Sequence, residues 1–193
     1  MKRIGIATLM MSPAMALAHP GHAESGFWSG FIHPFTGLDH LAVMFGLGVL
    51  CRVFFSSSKL FHKMVLGILI VSLCVGAALA NMGLMIPMLE SIILLSVLFV
   101  GASLVFGGLV RSPSKWAVCG LAALATFHGY VHILESSVGH GLGLYTLGFV
   151  SSSAMLYIGG QVLGQKMQRA TNNKRYCVVS GGGYILLALL LGL

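Results

Sequence analysis

Six long apolar segments, separated by short connections, take up almost the whole chain after residue 26. Each segment is close to the roughly 20 residues that a helix needs to cross the hydrocarbon core of a bilayer. Of the 193 residues, 57% are hydrophobic and only 8% are charged, whereas soluble domains carry about 25% charged residues. We therefore predict an all-α integral membrane protein with six transmembrane helices, at about 27–53, 63–83, 86–110, 116–135, 143–164 and 176–193.

The N-terminal residues have the pattern of a secretory signal peptide rather than of a membrane span. A basic start precedes an apolar stretch that is too short to span, and Ala16 and Ala18 form a small-residue cleavage site. We predict a signal peptide at residues 1–18 and a mature membrane domain at residues 19–193. An uncleaved N-terminal anchor is the alternative.

The distribution of basic residues predicts the orientation in the membrane. After removal of the signal peptide nine Lys and Arg residues remain, and all nine lie between segments one and two, three and four, or five and six. The alternate connections, around Asn81 and at 136–142, carry none. Because basic loops face the cytoplasm, we predict a multi-pass protein of the cell inner membrane with both termini on the outer side.

Charge and motif content exclude several classes of function. The formal net charge is +7, but the sequence contains no Lys/Arg-rich stretch with interleaved aromatic residues, so we do not expect nucleic-acid binding. No GxxxxGK[ST] sequence is present, so ATP hydrolysis is not expected. The lipid bilayer is the predicted environment, and Gly160 and Gly164 are expected to allow close packing of helices within it.

The sequence HPFTGLDH at residues 33–40 places ionisable groups inside the first apolar segment. Asp39 is the chain's only aspartate, and an ionised aspartate at membrane depth costs roughly 2.5–3.5 kcal/mol on insertion scales. His33 and His40 are two helical turns apart and are expected to share a helical face. Pro34 either begins the helix, with His33 as its cap, or kinks a longer helix. A charge retained at this cost indicates a functional site.

The fourth apolar segment carries a second group of metal-ligand residue types. His128, His132 and Glu135 follow a four- and three-residue spacing and share a helical face. With the predicted orientation they converge with Glu90 and the residues at 33–40 in the outer half of the membrane. Imidazole with carboxylate suits a divalent first-row ion: nickel, cobalt, zinc or iron. For any single residue a hydrogen bond to a neighbouring helix is an equal explanation, but the combination favours a metal site.

Four further histidines have weaker signals. His19 and His22, close to the new N-terminus, are candidate capture ligands at the outer mouth, and a disordered tail is the alternative. His140, in an outer connection, is a third candidate of the same kind. His62, next to Lys63, is expected to be solvated on the cytoplasmic side.

These motifs resemble those of the HupE/UreJ family of small nickel/cobalt permeases. The matching pieces are the signal peptide, HPFTGLDH with Met44, Glu90 followed by Ser96 and Gly101, and FHGYVH at 127–132 with Glu135. The resemblance implies a six-helix permease, not an enzyme, that carries Ni(II) or Co(II) inward as its substrate and holds no permanent cofactor. The functional residues that it implies are His33, Asp39, His40, His128 and His132, with Glu90 and Glu135.

Two positions depart from the family pattern and bear on metal selectivity. Ile133 stands where a glycine usually follows the second fourth-helix histidine, and Tyr157 lies near the place of a common fifth-helix histidine. The family's association with hydrogenase and urease gene clusters implies that metalloenzyme maturation machinery uses the ion downstream. The sequence leaves a homo-oligomer open.

We predict a permease that moves a divalent metal ion from periplasm to cytoplasm through a His/Asp/Glu site in the outer half of the membrane. Two alternatives come from other classes. An intramembrane His-box metalloenzyme would use the H-x3-H pair catalytically, although such enzymes typically need several boxes on the cytoplasmic side. A bis-histidine haem protein would pair His33 or His40 with His128 or His132 across helices.

Overall fold

The structure, a computed structural model, describes residues 26–136 and 141–192 and is all-helical, with no strand in those two ranges. Eight α-helices follow one another there, and a short 3-10 helix at His33–Phe35 joins the first two. Their bounds are α1 Phe27–Ile32, α2 Leu38–Phe54, α3 Lys59–Asn81, α4 Leu89–Leu109, α5 Lys115–Ala123, α6 Ala125–Glu135, α7 Leu142–Arg169 and α8 Asn173–Leu191.

The chain is a multi-pass membrane protein. Five helical stretches are each long and apolar enough to cross a membrane: α3, α4, α7, α8 and the α5–α6 pair taken together. The bent pair formed by α1 and α2 raises this number to six if it crosses as one span. The predicted signal peptide and the candidate capture ligands His19, His22 and His140 lie outside the described residues and stay predictions, as does the orientation.

The first apolar segment is a broken helix, which favours the alternative in which Pro34 interrupts a longer helix. Its two parts are bent by 82°. Pro34 lies in the first turn of the 3-10 helix, where its missing amide N–H is not needed. The N–H and the hydroxyl of Thr36 both donate to the carbonyl oxygen of His33, at 3.0 and 2.7 Å, and close the turn. Gly37 is extended, so α2 begins afresh at Leu38.

Helices that are distant in sequence pack in close pairs, α2 with α7, α3 with α6 and α4 with α8. Glycine makes the α2–α7 approach close from both sides. A Cβ at Gly48 would collide with the carbonyl oxygen of Tyr157, and one at Gly160 with that of Phe45. The same reciprocal arrangement of glycine against backbone joins α3 to α6. The predicted role of glycine in close helix packing is confirmed at Gly160.

Charges are separated between the two ends of the bundle. The nine Lys and Arg residues of the described ranges stand in or beside the last turns of α2, α4 and α7 and the first turns of α3, α5 and α8, which we call the basic end. The acidic residues of those ranges stand at the opposite end: Asp39 in the first turn of α2, Glu90 in the first turn of α4 and Glu135 in the last turn of α6. The predicted orientation would place the basic end in the cytoplasm.

Candidate metal centre

A cavity of about 450 Å³ lies at the end of the bundle opposite the basic end. The ionisable residues that line it, among those the structure describes, are His33, Asp39, Glu90, His132 and Glu135. Because these include every acidic residue in the described part of the chain, we call it the acidic cavity. Five of the seven predicted ligands, drawn from the first, third and fourth apolar segments, therefore line a single cavity.

Three side chains of the acidic cavity bring donor atoms within reach of one ion. Oε2 of Glu135 lies 3.5 Å from Nε2 of His33 and 3.7 Å from Nδ1 of His132. One donor atom from each of the three residues lies within 4.8 Å of the other two. Ligands held at about 2.0–2.2 Å from one ion are themselves about 3 to 4 Å apart. The three residues therefore fit a divalent first-row ion.

Three histidines continue from this cavity into the core, and we call His132, His40 and His128 the buried histidines. They are 4%, 0% and 0% exposed. Nε2 of His132 lies 2.9 Å from Nδ1 of His40, and the ring centroids of His40 and His128 are 5.3 Å apart. The two predicted ligands that do not line the acidic cavity are thus joined to it through His132.

Hydrogen bonds determine which ring nitrogens of His40 and His132 carry protons in the neutral state. The hydroxyl of Ser153 donates to the carbonyl oxygen of Phe149 at 2.8 Å, so it can only accept from Nε2 of His40, at 2.9 Å. Nδ1 of His40 is then unprotonated and accepts the N–H of His132 Nε2. Nδ1 of His132 keeps its lone pair and faces Glu135. This is the form of imidazole that binds a metal.

A second serine acts on His128 in the same way. The hydroxyl of Ser96 donates to the carbonyl oxygen of Ile93 at 2.6 Å and therefore accepts from Nε2 of His128 at 2.9 Å. Nδ1 of His128 is then unprotonated as well. Nδ1 of His128 and Nδ1 of His132 are both buried without a hydrogen-bond partner among the described residues. Two buried nitrogens are thus left free to bind an ion.

Helix geometry brings the predicted ligands together by two routes. On α6, His128, His132 and Glu135 follow one another at one-turn intervals, and the two histidine rings both face His40. The prediction that His33 and His40 share a helical face is wrong, because the chain bends between them. Both rings nevertheless lie 4.5 Å from that of His132 between centroids, from two directions. The bend places His33 at the mouth and His40 in the core.

Phe149 closes the space beside the buried histidines. Its ring is fully buried, and its centroid lies 5.1 Å from that of His40 and 4.9 Å from that of His132. Nearer the basic end, Tyr157 is also fully buried, and its hydroxyl donates to the carbonyl oxygen of His62 at 3.0 Å. Of the buried histidines, His132 lines the acidic cavity and His40 and His128 do not.

Some residues of the structure have little or no signal in the sequence. Ser153 belongs to a run of three serines in an apolar segment, and Ser96 was indicated only by the family resemblance. The prediction that His62 is solvated is wrong, since it is 7% exposed. Nε2 of His62 donates to the carbonyl oxygens of Cys51 and Phe55, both at 3.0 Å, and so binds the C-terminal end of α2.

Known proteins match this chain over most of its length. The family described as HupE / UreJ protein matches residues 7–191. The chain belongs to the HupE/UreJ family. It is similar to Protein HupE of Rhizobium leguminosarum bv. viciae, with 32% identity over 151 residues that cover 77% of this chain and 75% of that protein. No solved structure gives a significant match.

Membership of the HupE/UreJ family agrees with the site's chemistry. The family is associated with nickel and cobalt uptake, and its members are transporters or accessory proteins rather than enzymes. Imidazole nitrogens with carboxylate oxygens are a ligand set suited to both ions.

Proposed function

We propose that this HupE/UreJ protein carries Ni(II) or Co(II) from the periplasm to the cytoplasm across the inner membrane. One observation supports the proposal most directly: His132 belongs both to the three-residue ligand group of the acidic cavity and to the buried histidines. A site that held an ion only for stability would not need further free nitrogens behind it. Because His132 is shared, the ligand group of the acidic cavity is directly continuous with the buried histidines.

Capture of the ion would begin with the carboxylates. Among the described residues, three acidic side chains line the acidic cavity and no Lys or Arg does. Walls that carry one sign of charge raise the local concentration of the opposite ion. Glu135, His33 and His132 would then replace part of the ion's hydration shell. Mixed nitrogen and oxygen ligands favour a first-row divalent ion over Mg²⁺ and Ca²⁺, which prefer oxygen alone.

Inward transfer would use the two free buried nitrogens, Nδ1 of His132 and then Nδ1 of His128. His40 lies between them with both of its nitrogens in hydrogen bonds. An ion can bind His40 only after one of those bonds breaks. We therefore assign His40 the role of a bridge in this conformation, meaning that it connects His132 to His128 and is not itself a ligand. The buried ring of Phe149 packs against His40 and His132, so we infer that it moves during further passage and that this conformation receives the ion.

The membrane potential supplies enough free energy for such transport. A divalent ion that enters a cell down the potential gains about 4.6 kcal/mol per 100 mV, twice the roughly 2.3 kcal/mol of a single charge. At about 1.4 kcal/mol for each factor of ten, this supports accumulation of about three orders of magnitude. Transport therefore needs no ATP hydrolysis by this chain.

Uptake of radiolabelled Ni(II) by cells that express the chain but lack their own nickel transporter tests the proposal. We expect saturable uptake that Co(II) inhibits and Mg(II) does not. The substitutions His33→Ala, Asp39→Ala and His128→Ala should each abolish uptake while the protein still inserts. Ser151→Ala is a suitable control, because among the described residues that hydroxyl bonds only to the carbonyl oxygen of Leu147 in its own helix. Wild-type uptake in all three site variants would refute the proposal.

Purified protein separates the proposed permease from the two alternatives. A bis-histidine haem protein would show strong visible absorption, whereas a permease would be colourless before metal is added. A His-box metalloenzyme would bind metal without moving it into sealed proteoliposomes. Accumulation of Ni(II) inside proteoliposomes under an imposed potential, negative inside, would exclude both.

A further inference from the structure

A second cavity, of about 260 Å³, lies at the basic end, where α2, α3 and α7 meet. We call it the basic pocket. Its six lining residues are Arg52, Lys59, His62, Lys63, Leu66 and Gln161. None of them belongs to the candidate metal centre, so the proposed transport of metal does not account for the basic pocket.

The basic pocket has no counter-charge from the described part of the chain. Asp39, Glu90 and Glu135 all lie at the opposite end, and Glu135 makes its close ionic contacts with histidines there. Three cationic side chains therefore share one small cavity with no carboxylate beside them in the two described ranges. An anion from outside the chain would relieve their mutual repulsion.

Arg52 indicates an anionic ligand more specifically than the net charge of the basic pocket does. Its Nε is buried and has no hydrogen-bond partner in the part of the chain that the structure describes. Buried donors are almost always paired in proteins. The base of the side chain packs closely on α7, since a Cβ at Gly164 would lie only 2.9 Å from Cβ of Arg52. A guanidinium offers a planar fork of N–H donors that matches two phosphate oxygens.

The remaining cations are set beside Arg52 by backbone contacts. The N–H of His62 Nε2 donates to two carbonyl oxygens at the end of α2, which ties that end to the first turns of α3. Lys59 and Lys63 lie in those turns. The N-terminus of a helix also favours an anion through its free N–H groups. Side-chain charge and backbone polarity thus favour the same kind of ligand.

We propose that the basic pocket binds a phosphate group and that the headgroup of an anionic phospholipid supplies it. Leu66 gives the pocket an apolar wall, and Leu60, in the same part of α3, is 80% exposed, as a side chain in contact with acyl chains would be. Basic pockets between transmembrane helices on the cytoplasmic side are known places of headgroup binding. Lipid binding here is independent of metal transport.

Native mass spectrometry of the full chain, purified in detergent and depleted of lipid, tests the proposal. The probes are phosphatidylglycerol, phosphatidylcholine with the same acyl chains, and inorganic phosphate, each titrated separately. Phosphatidylglycerol should bind about tenfold more tightly than phosphatidylcholine or better, given the attraction of each Lys or Arg for an anionic headgroup. Combined Arg52→Gln, Lys59→Gln and Lys63→Gln should remove that preference.

A matched control removes the same number of charges from the basic end outside the basic pocket. Arg111→Gln, Lys166→Gln and Arg175→Gln alter three exposed side chains that do not line it. This variant should keep the preference for phosphatidylglycerol. An equal loss in both triple variants would overturn the proposal, because general charge would then explain the binding.

The other outcomes are equally decisive. Inorganic phosphate could raise the melting temperature of the wild type as much as phosphatidylglycerol does, without raising that of the triple Arg52, Lys59 and Lys63 variant. The phosphate site would then stand, and its ligand would be a soluble phosphate. If neither phosphatidylglycerol nor inorganic phosphate distinguishes the wild type from this triple variant, the proposal fails. If Arg52→Gln prevents folding, Lys59→Gln with Lys63→Gln replaces it, because both lysines are exposed. Unchanged lipid preference in that double variant would also overturn the proposal.

Discussion

Ser153 on α7 and His40 on α2 are joined by a hydrogen bond of 2.9 Å. Because Ser153 donates its own hydrogen to the carbonyl oxygen of Phe149, it can only accept from His40. One hydroxyl therefore determines the tautomer of His40 and, through the bond between the two rings, that of His132. A residue that does not line the acidic cavity thus controls whether Nδ1 of His132 is free to bind an ion.

Ser153→Ala should weaken Ni(II) binding. Without the hydroxyl, His40 and His132 no longer have a preferred tautomer, and loss of a group that orients a metal-binding histidine typically costs about 10- to 100-fold in affinity. Equilibrium binding to the purified protein should show a Kd higher by that factor. Nuclear magnetic resonance of ¹⁵N-labelled histidines should show mixed tautomers in the variant and one tautomer for His40 in the wild type.

Two substitutions serve as controls for this prediction. Ser151→Ala removes a hydroxyl from the same helix whose one hydrogen bond in the described part of the chain is to the helix backbone, and it should leave the Kd unchanged. Ser153→Thr keeps a hydroxyl and should recover most of the affinity. A Kd for Ser153→Ala equal to that of the wild type would show that the serine does not position His40.

His132 and His40 should differ in what their loss does to the protein. His132 has a free nitrogen beside Glu135, whereas both nitrogens of His40 are used in hydrogen bonds. His132→Gln removes a direct ligand and should weaken Ni(II) binding by more than the roughly hundredfold limit for orienting residues. His40→Gln should raise the Kd by about 10- to 100-fold, the range for loss of an orienting partner. It should still abolish uptake. Equal losses of binding would contradict the assignment of His40 as a bridge.

Glu135 and Glu90 both line the acidic cavity but should contribute differently to uptake. Oε2 of Glu135 lies within 4 Å of two histidine nitrogens, as a direct ligand would. Glu90, which is exposed, has no such ionic contact with a histidine in the described ranges. Glu135→Gln should raise the KM for Ni(II) uptake about tenfold or more at any salt concentration, because a ligand is lost. Glu90→Gln should act only through the field of the cavity.

Ionic strength distinguishes these two roles. The Debye length falls from about 10 Å at 0.1 M salt to about 3 Å at 1 M. The effect of Glu90→Gln on KM should therefore disappear when initial rates are measured in proteoliposomes at high salt, whereas that of Glu135→Gln should persist. A Glu135→Gln effect that vanished with salt would assign that residue to attraction alone.

The fold could be predicted from the sequence where it depends on local rules. Sparse charge and six apolar segments are enough to predict a helical membrane protein, and the separation of basic from acidic residues follows from the same pattern. A kink at Pro34 is one of the two alternatives that the sequence predicts, but the sequence does not predict the 82° bend between α1 and α2. Its size depends on how α1 packs against α7, where a Cβ at Gly30 would collide with the backbone of Tyr145. Contacts between residues so far apart in sequence have no local signal.

Part of the candidate site likewise follows from local spacing, and part depends on contacts between helices. One-turn spacing on a single helix placed His128, His132 and Glu135 on a common face, and spacing is a property of the sequence. The direction of the hydrogen bond between Ser153 and His40 depends on two helices and on a backbone carbonyl, and spacing does not reveal it. The prediction that His62 is solvated is wrong for the same reason, because the carbonyl oxygens that accept its hydrogen bonds belong to the end of another helix.

Adjacent glycines on α7 test whether close helix packing holds the site together. A Cβ at Gly160 would collide with the carbonyl oxygen of Phe45 on α2, whereas a Cβ at Gly159 would meet only the ring of Phe45, at an ordinary 3.5 Å. Gly160→Ala should destabilise the protein by about 1–3 kcal/mol, the usual cost of overpacking. At roughly 2–4 °C per kcal/mol for a chain of this size, its Tm should fall by about 2 to 12 °C.

Gly159→Ala should leave the Tm unchanged or raise it, since alanine is the better helix former by about 1 kcal/mol. The two variants should also differ in metal binding. Because α2 carries His40 and α7 carries Ser153, any separation of the two helices lengthens the bond between these residues, so Gly160→Ala should weaken Ni(II) binding and Gly159→Ala should not. Equal Tm and equal Kd in both variants would mean that the close approach of α2 to α7 contributes nothing to the site, and that other contacts hold the buried histidines in place.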